Sequence, residues 1–167
     1  MQVIDNFLPE YQFKQIINVI LHDNFAWYWN DGVISRDDKT DLYQFTHGIY
    51  NIRYGGITSK YYSLFDVVQQ KLGVCRLDRI KLNLNPKTVF HRKGGYHMDL
   101  RSDDSYQHEK TAVLYLNSNN GWTEFKKGGK VKSVANRVVI FDSNLEHTGV
   151  TCTDEKRRVV INFNYDV

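Results

Sequence analysis

Apolar residues recur along the chain with two different periods, and the change of period divides it into two regions. Phe13, Ile16, Ile17, Ile20 and Leu21 fall at helical spacing. The spacing predicts an amphipathic helix opened by Leu8-Pro9-Glu10. A second helix is predicted over Ile57 to Leu72, with Tyr61, Leu64, Phe65 and Val68 on its apolar face and Gly73 as its stop. Between the two, Phe25 to Trp29 reads as a strand and Asn30-Asp31-Gly32 as a turn.

From Asp78 onward the period is two. Ile80, Leu82 and Leu84 alternate with Lys81, Asn83 and Asn85. Thr111 to Leu116, Trp122 to Phe125, Arg137 to Phe141 and Arg157 to Tyr165 continue as short strands parted by turn residues. The densest basic stretch, Lys126 to Lys132, reads as a solvated hairpin turn rather than a nucleic-acid patch. Short strands in series with no helix between them predict a β-sandwich or barrel, with the helices of the first region covering one face. No repeat or low-complexity linker interrupts the chain. It reads as a single domain over residues 1–167, with a helical support region at 1–77 and a β core at 78–167.

Composition narrows the class without deciding the chemistry. The 167 residues are 41% hydrophobic, 25% charged and 14% aromatic, which suits one globular domain rather than a disordered chain. A formal net charge of +3 does not call for a nucleic-acid partner. Two cysteines, Cys75 and Cys152, are too few for a disulfide framework. The start of the sequence has no signal-peptide pattern, and the apolar run from Ile16 to Leu21 is too short to span a bilayer. A cytoplasmic setting with no membrane partner is the expectation.

One tripeptide suggests chemistry. In His97-Met98-Asp99, residues i and i+2 of an extended segment point the same way, so one metal ion can take both side chains. Such a tripeptide arises often by chance, and its surroundings give it weight. His147 follows fifty residues later, after the strand Arg137 to Phe141, far enough for the chain to return to the same end of a sandwich. Two histidines and one carboxylate form the facial triad of non-haem iron(II) oxygenases. Ten residues beyond His147 stands Arg157. In an extended strand it shares a face with Val159, Ile161 and Phe163, while Arg158 shares the other with Asn162 and Asn164. If the apolar face is the interior, Arg157 points inward and needs a buried anion, and Arg158 points to solvent. His22, His47, His91 and His108 lack ligand-like spacing and read as surface or structural. Trp27-Tyr28-Trp29 reads as core packing with a wet edge, and Asp103-Asp104 lacks the spacing of a calcium site.

The run from Tyr96-His97-Met98-Asp99 through Thr111 to Asn117, Gly121 to Phe125, Val139 to Asp142, His147 and Arg157 resembles the prolyl 4-hydroxylase-like branch of the 2-oxoglutarate/Fe(II) dioxygenases. Small virus-encoded members are similar in length and in the opening Ile4-Asp5-Asn6-Phe7-Leu8. The resemblance implies a double-stranded β-helix, or jelly roll, with Fe(II) as metal, 2-oxoglutarate as cosubstrate and dioxygen as oxidant. It implies His97, Asp99 and His147 as iron ligands, and Arg157, Tyr115 and Thr123 as contacts to 2-oxoglutarate. A protein or peptide substrate, with proline the leading example, is implied over nucleic acid. Its candidate contacts are Lys87 to Tyr96, Arg101 to His108 and Trp122. The competing readings are a cupin-like metal protein and a non-catalytic binding module on the same fold, neither of which gives a buried arginine a partner.

Overall fold

A computed structural model describes residues 1–33, 41–99 and 109–167. The first region contributes β1 (Gln2–Ile4), α1 (Glu10–Ile20), β2 (Tyr28–Asn30), β3 (Gln44–Asn51), β4 (Gly56–Ile57) and α2 (Asp66–Leu72). The second contributes β5 (Arg76–Pro86), β6 (Lys110–Tyr115), β7 (Trp122–Phe125), β8 (Lys130–Lys132), β9 (Val138–Asp142), β10 (His147–Val150) and β11 (Arg157–Asp166). All pair antiparallel. A large sheet runs β1-β9-β6-β11-β5-β3-β2, with β4 beside β3, and a small one runs β10-β7-β8. This is the expected jelly roll.

The periodicities account for the layers. Phe13, Ile16 and Ile20 of α1 and Phe65 and Val68 around α2 bury against Ile80, Leu82, Leu84, Ala112, Leu114, Val159, Ile161 and Phe163 of the large sheet. Alternation places those strand residues on one face. A smaller apolar cluster of Val113, Tyr115, Phe125, Val131, Val139, Phe141 and Val160 joins the opposite face of the large sheet to the small sheet. The remainder of that inner face is polar.

Two local expectations shift. The second helix begins later than Ile57: Gly56–Ile57 pairs with Tyr50 and Asn51, and the Thr58 N–H donates to the Ile49 carbonyl. A 3-10 turn over Tyr62–Phe65 then leads into Asp66–Leu72. Gly73 ends that helix with φ 70°, a left-handed conformation that glycine adopts without a Cβ clash. The expected strand at Phe25 to Trp29 is confined to Tyr28–Asn30, because Phe25 folds inward against Trp27, His47 and Tyr61. Basic residues 126–130 do form a hairpin turn, with positive φ at Gly128 and Gly129.

Candidate functional site

The segment before β6 runs along the edge of the small sheet and delivers two of the three candidate ligands. Lys93 bridges to Val150, and His97 and His147 exchange both backbone hydrogen bonds at 3.0 and 2.9 Å. The Asp99 N–H then donates to Ser143 O at 3.1 Å. Backbone pairing therefore sets His97 opposite His147, and the i, i+2 relation carries Asp99 to the same side. One donor atom from each of the three lies within 4.8 Å of the others.

Two of the three candidate ligands, His147 and Asp99, are oriented by neighbours. His147 Nδ1–H donates to the Leu145 carbonyl at 2.9 Å, which leaves Nε2 facing Asp99 Oδ2 at 3.9 Å. Phe141 packs edge-on against the His147 ring. Arg79 Nη2 donates to Asp99 Oδ1 at 3.2 Å, and the Thr111 hydroxyl donates to Oδ2 at 2.9 Å. Burial alone would push the Asp99 carboxyl up, but Arg79, the two imidazoles and Thr111 outweigh it and hold the group ionised. Burial, reinforced by His147, pushes the His97 imidazole towards its neutral, metal-binding form. Two neutral imidazoles and one carboxylate fit a ferrous ion with positions left for other ligands.

A cavity of about 400 Å³ extends from this triad between the sheets. Its floor is the polar face of the large sheet: Arg79, Lys81, Asn83 and Asn85 of β5 and Arg158, Asn162 and Asn164 of β11. Here the expected assignment of the two arginines is reversed. Arg158 is 3% exposed and lies inside. Its Nε donates to Ser133 Oγ at 2.9 Å, its Nη2 donates to Thr123 Oγ1 at 3.1 Å, and its guanidinium carbon stands 5.5 Å from the centre of the Tyr115 ring. Arg157 lies on the helix side, where Nη2 donates to the carbonyl of Leu21 at the end of α1. The physical reason is that the apolar face of β11 is buried under the helices, not in the barrel. Arginine beside Val159 and Ile161 therefore meets a helix C-terminus.

Tyr115 and Thr123 converge on Arg158, with Tyr115 OH donating to Thr123 Oγ1 at 2.7 Å. Burial raises the Tyr115 phenol, against the opposing pull of Arg158, so it stays protonated and able to donate. Gly121 permits the approach: a Cβ there would stand 2.7 Å from Val150 O and 2.9 Å from Arg158 Cδ. Among the described residues no carboxylate pairs with Arg158, and burial pulls its pKa down.

The remaining candidates divide. His47 is locked between Ala26 O and Ser59 Oγ, and His91 Nδ1–H donates to Thr151 O, so both are structural. His22 Nδ1 accepts from Asn24 N, whereas His108, Asp103-Asp104 and the segment Arg101 to His108 lie outside the described residues. Trp122 does not line the cavity; it packs at a tilt against His91 and donates to Glu124. Glu124 also accepts from Lys93 and Tyr96 and so ties the segment leading to His97 onto β7. Arg79, Thr111, Ser133 and Arg158 were not among the expected site residues. The polar half of the period-two pattern in β5 and β11 is the signal that could have found Arg79 and Arg158, whereas Thr111 and Ser133 lie on neither strand.

No curated protein matches this sequence. Residues 88–166 match the 2OG-Fe(II) oxygenase superfamily. The fold is similar to that of a viral collagen prolyl hydroxylase from Paramecium bursaria Chlorella virus-1, solved as its 2OG complex, at 15% identity and TM-score 0.65, covering 99% of this chain and 95% of that one. A prolyl-4-hydroxylase from Pseudomonas putida is similar at 19% identity and TM-score 0.62, covering 98% and 91% of the two chains. A Trichoplax adhaerens prolyl hydroxylase, solved with a hypoxia inducible factor peptide fragment, is similar at 15% identity and TM-score 0.62, covering 99% and 83%. No described helix is long and apolar enough to cross a membrane. The match across residues 88–166 and a triad of this composition lining a jelly-roll cavity both agree with the 2OG-Fe(II) oxygenase superfamily, whose chemistry uses Fe(II), 2-oxoglutarate and dioxygen.

Proposed function

We propose that His97, Asp99 and His147 hold Fe(II), that Arg158 anchors the distal carboxylate of 2-oxoglutarate, and that the protein hydroxylates a side chain of a protein or peptide. The observation that carries this reading is a single cavity with the triad at one end and a buried guanidinium lacking any carboxylate partner among the described residues at the other. Fe(II) with 2-oxoglutarate and dioxygen supplies the oxidising chemistry when bound. The chain's own residues bind and orient. Arg158 offers a charge-assisted contact to the distal carboxylate, and the Tyr115 and Thr123 hydroxyls stand beside it. Arg79 and Thr111 fix the Asp99 carboxylate, and Leu145 O fixes the His147 tautomer. Val113, Val160 and the apolar cluster behind them exclude water from that part of the cavity.

The peptide preference draws on the Trichoplax neighbour, which was solved with a peptide. A cupin-like metal site or a non-catalytic module would leave Arg158 without its anion. Anaerobic addition of Fe(II) and 2-oxoglutarate tests the reading: a visible charge-transfer band is expected, followed by succinate release once dioxygen is admitted. A peptide library should then show a gain of about 16 mass units, the signature of hydroxylation. Absence of the band with correctly folded protein would sink the proposal.

A further inference from the structure

The cavity holds more positive charge than the proposed cofactors use. Among the described residues four basic side chains line it, Arg53, Arg79, Lys81 and Arg158, against two acidic ones, Asp78 and Asp99. Arg79 is engaged by Asp99, and Arg53 and Asp78 make interactions of their own. Ferrous iron brings two positive charges and 2-oxoglutarate two negative ones, so binding both leaves the excess in place.

Lys81 is where that excess lacks an answer. Its ammonium makes no hydrogen bond or ion pair with any described residue, and it lines the cavity. Partial burial, with the charge of Arg79, brings its pKa down to about 8 against the upward pull of Asp99. A half-buried ammonium without a partner is stabilised when a ligand supplies the anion. Its two cross-strand neighbours supply no anion. Gly48 of β3 has no side chain, and Asn162 of β11 lines the cavity with a buried Oδ1 that has no partner and, as an acceptor, calls for an N–H rather than a carboxylate. Arg158 stands opposite Asn85, four residues along β5 from Lys81, roughly 13 Å at the strand rise. The two cations therefore serve different anions.

We propose that Lys81 receives a carboxylate of the substrate while Asn162 Oδ1 accepts from a peptide N–H beside it, so that the substrate is an acidic peptide carrying aspartate or glutamate at, or next to, the residue that is hydroxylated. This rests on the reading of the cavity as an iron and 2-oxoglutarate site. The alternative source of the same chemistry is the other carboxylate of 2-oxoglutarate itself.

The test uses protein loaded anaerobically with Fe(II) and 2-oxoglutarate. N-acetyl-aspartate amide and N-acetyl-glutamate amide are titrated beside their asparagine and glutamine counterparts, following the charge-transfer band and saturation-transfer NMR. An acidic probe is expected to bind about tenfold or more tightly than its amide counterpart, the value of one charged hydrogen bond. Lys81→Gln should erase that preference, Lys81→Arg should keep it, and both should retain the wild-type affinity for 2-oxoglutarate and the wild-type circular dichroism. Equal binding of acid and amide, or binding of neither, overturns the proposal. So does a Lys81→Gln protein that loses 2-oxoglutarate while keeping the acid preference, which assigns Lys81 to the cosubstrate. A wild-type protein with no band at all fails earlier, at the cofactor reading, and takes the acidic substrate with it.

Discussion

The two faces of the β5–β11 pair differ in everything except that both are buried. On the helix side stand Ile80, Leu82, Leu84, Val159, Ile161 and Phe163, each at most 9% exposed and packed under α1 and α2. On the cavity side stand Lys81, Asn83, Asn85, Arg158, Asn162 and Asn164. In an ordinary sandwich strand a polar face is the solvent face. Here the polar face looks into a cavity, because a second sheet closes over it. The apolar face holds the fold together, and the polar face was left free for chemistry.

The sharpest way to break that division is at the triad. Asp99→Ala or His147→Ala is expected to abolish succinate release while circular dichroism stays near wild type, since a metal site open to substrate contributes less to folding than a closed structural one. Turnover at the wild-type rate in either variant would remove that residue from the ligand set. Next comes Arg158→Ala, which should weaken 2-oxoglutarate binding by about 3–5 kcal/mol, the cost of breaking a buried charge pair. An isothermal titration at saturating metal measures it, and a normal affinity would disconnect Arg158 from the cosubstrate. On the other face, Ile161→Ala should cost about 2–5 kcal/mol of folding stability and leave the affinity of the folded protein for 2-oxoglutarate intact. Denaturant unfolding beside the same titration separates the two faces in one pair of experiments.

Smaller effects sharpen the contrast. Arg157→Ala should lose about 1 kcal/mol of stability or less, through its one hydrogen bond to Leu21 O, with 2-oxoglutarate binding unchanged. Glu124 supplies a pH signature. Its carboxyl is held down at about 2 by Lys93 first, then by Tyr96 and Trp122. A depressed folded-state pKa contributes stability that is present above the ordinary carboxyl range near 4.5 and is lost as pH falls towards about 2. Glu124→Gln should therefore flatten part of the decline in melting temperature over that window, by a small amount because the group is solvent-accessible.

Much of this was legible before any coordinates. Alternation in β5, β6, β7, β9 and β11 announced the sheets, and helical spacing from Phe13 to Leu21 announced α1. What was not legible was short or depended on distant partners. β1 is three residues long and exists because it pairs with β9, and the Asn136 side chain holds the chain after it through Leu8. β4 took Ile57 from the expected second helix because β3 offered an open edge at Asn51.

Sequence by itself determined the composition of the site and its spacing. His97 and Asp99 two residues apart, with His147 after another strand, define a two-nitrogen, one-oxygen donor set, since neighbour relations along a strand are local geometry. It also determined that Arg157 and Arg158 must face opposite ways. Which of the two lines the cavity was decided only by tertiary structure. Periodicity reports that a face is apolar but not what covers it, and α1 and α2 claimed the apolar face while the small sheet closed over the polar one.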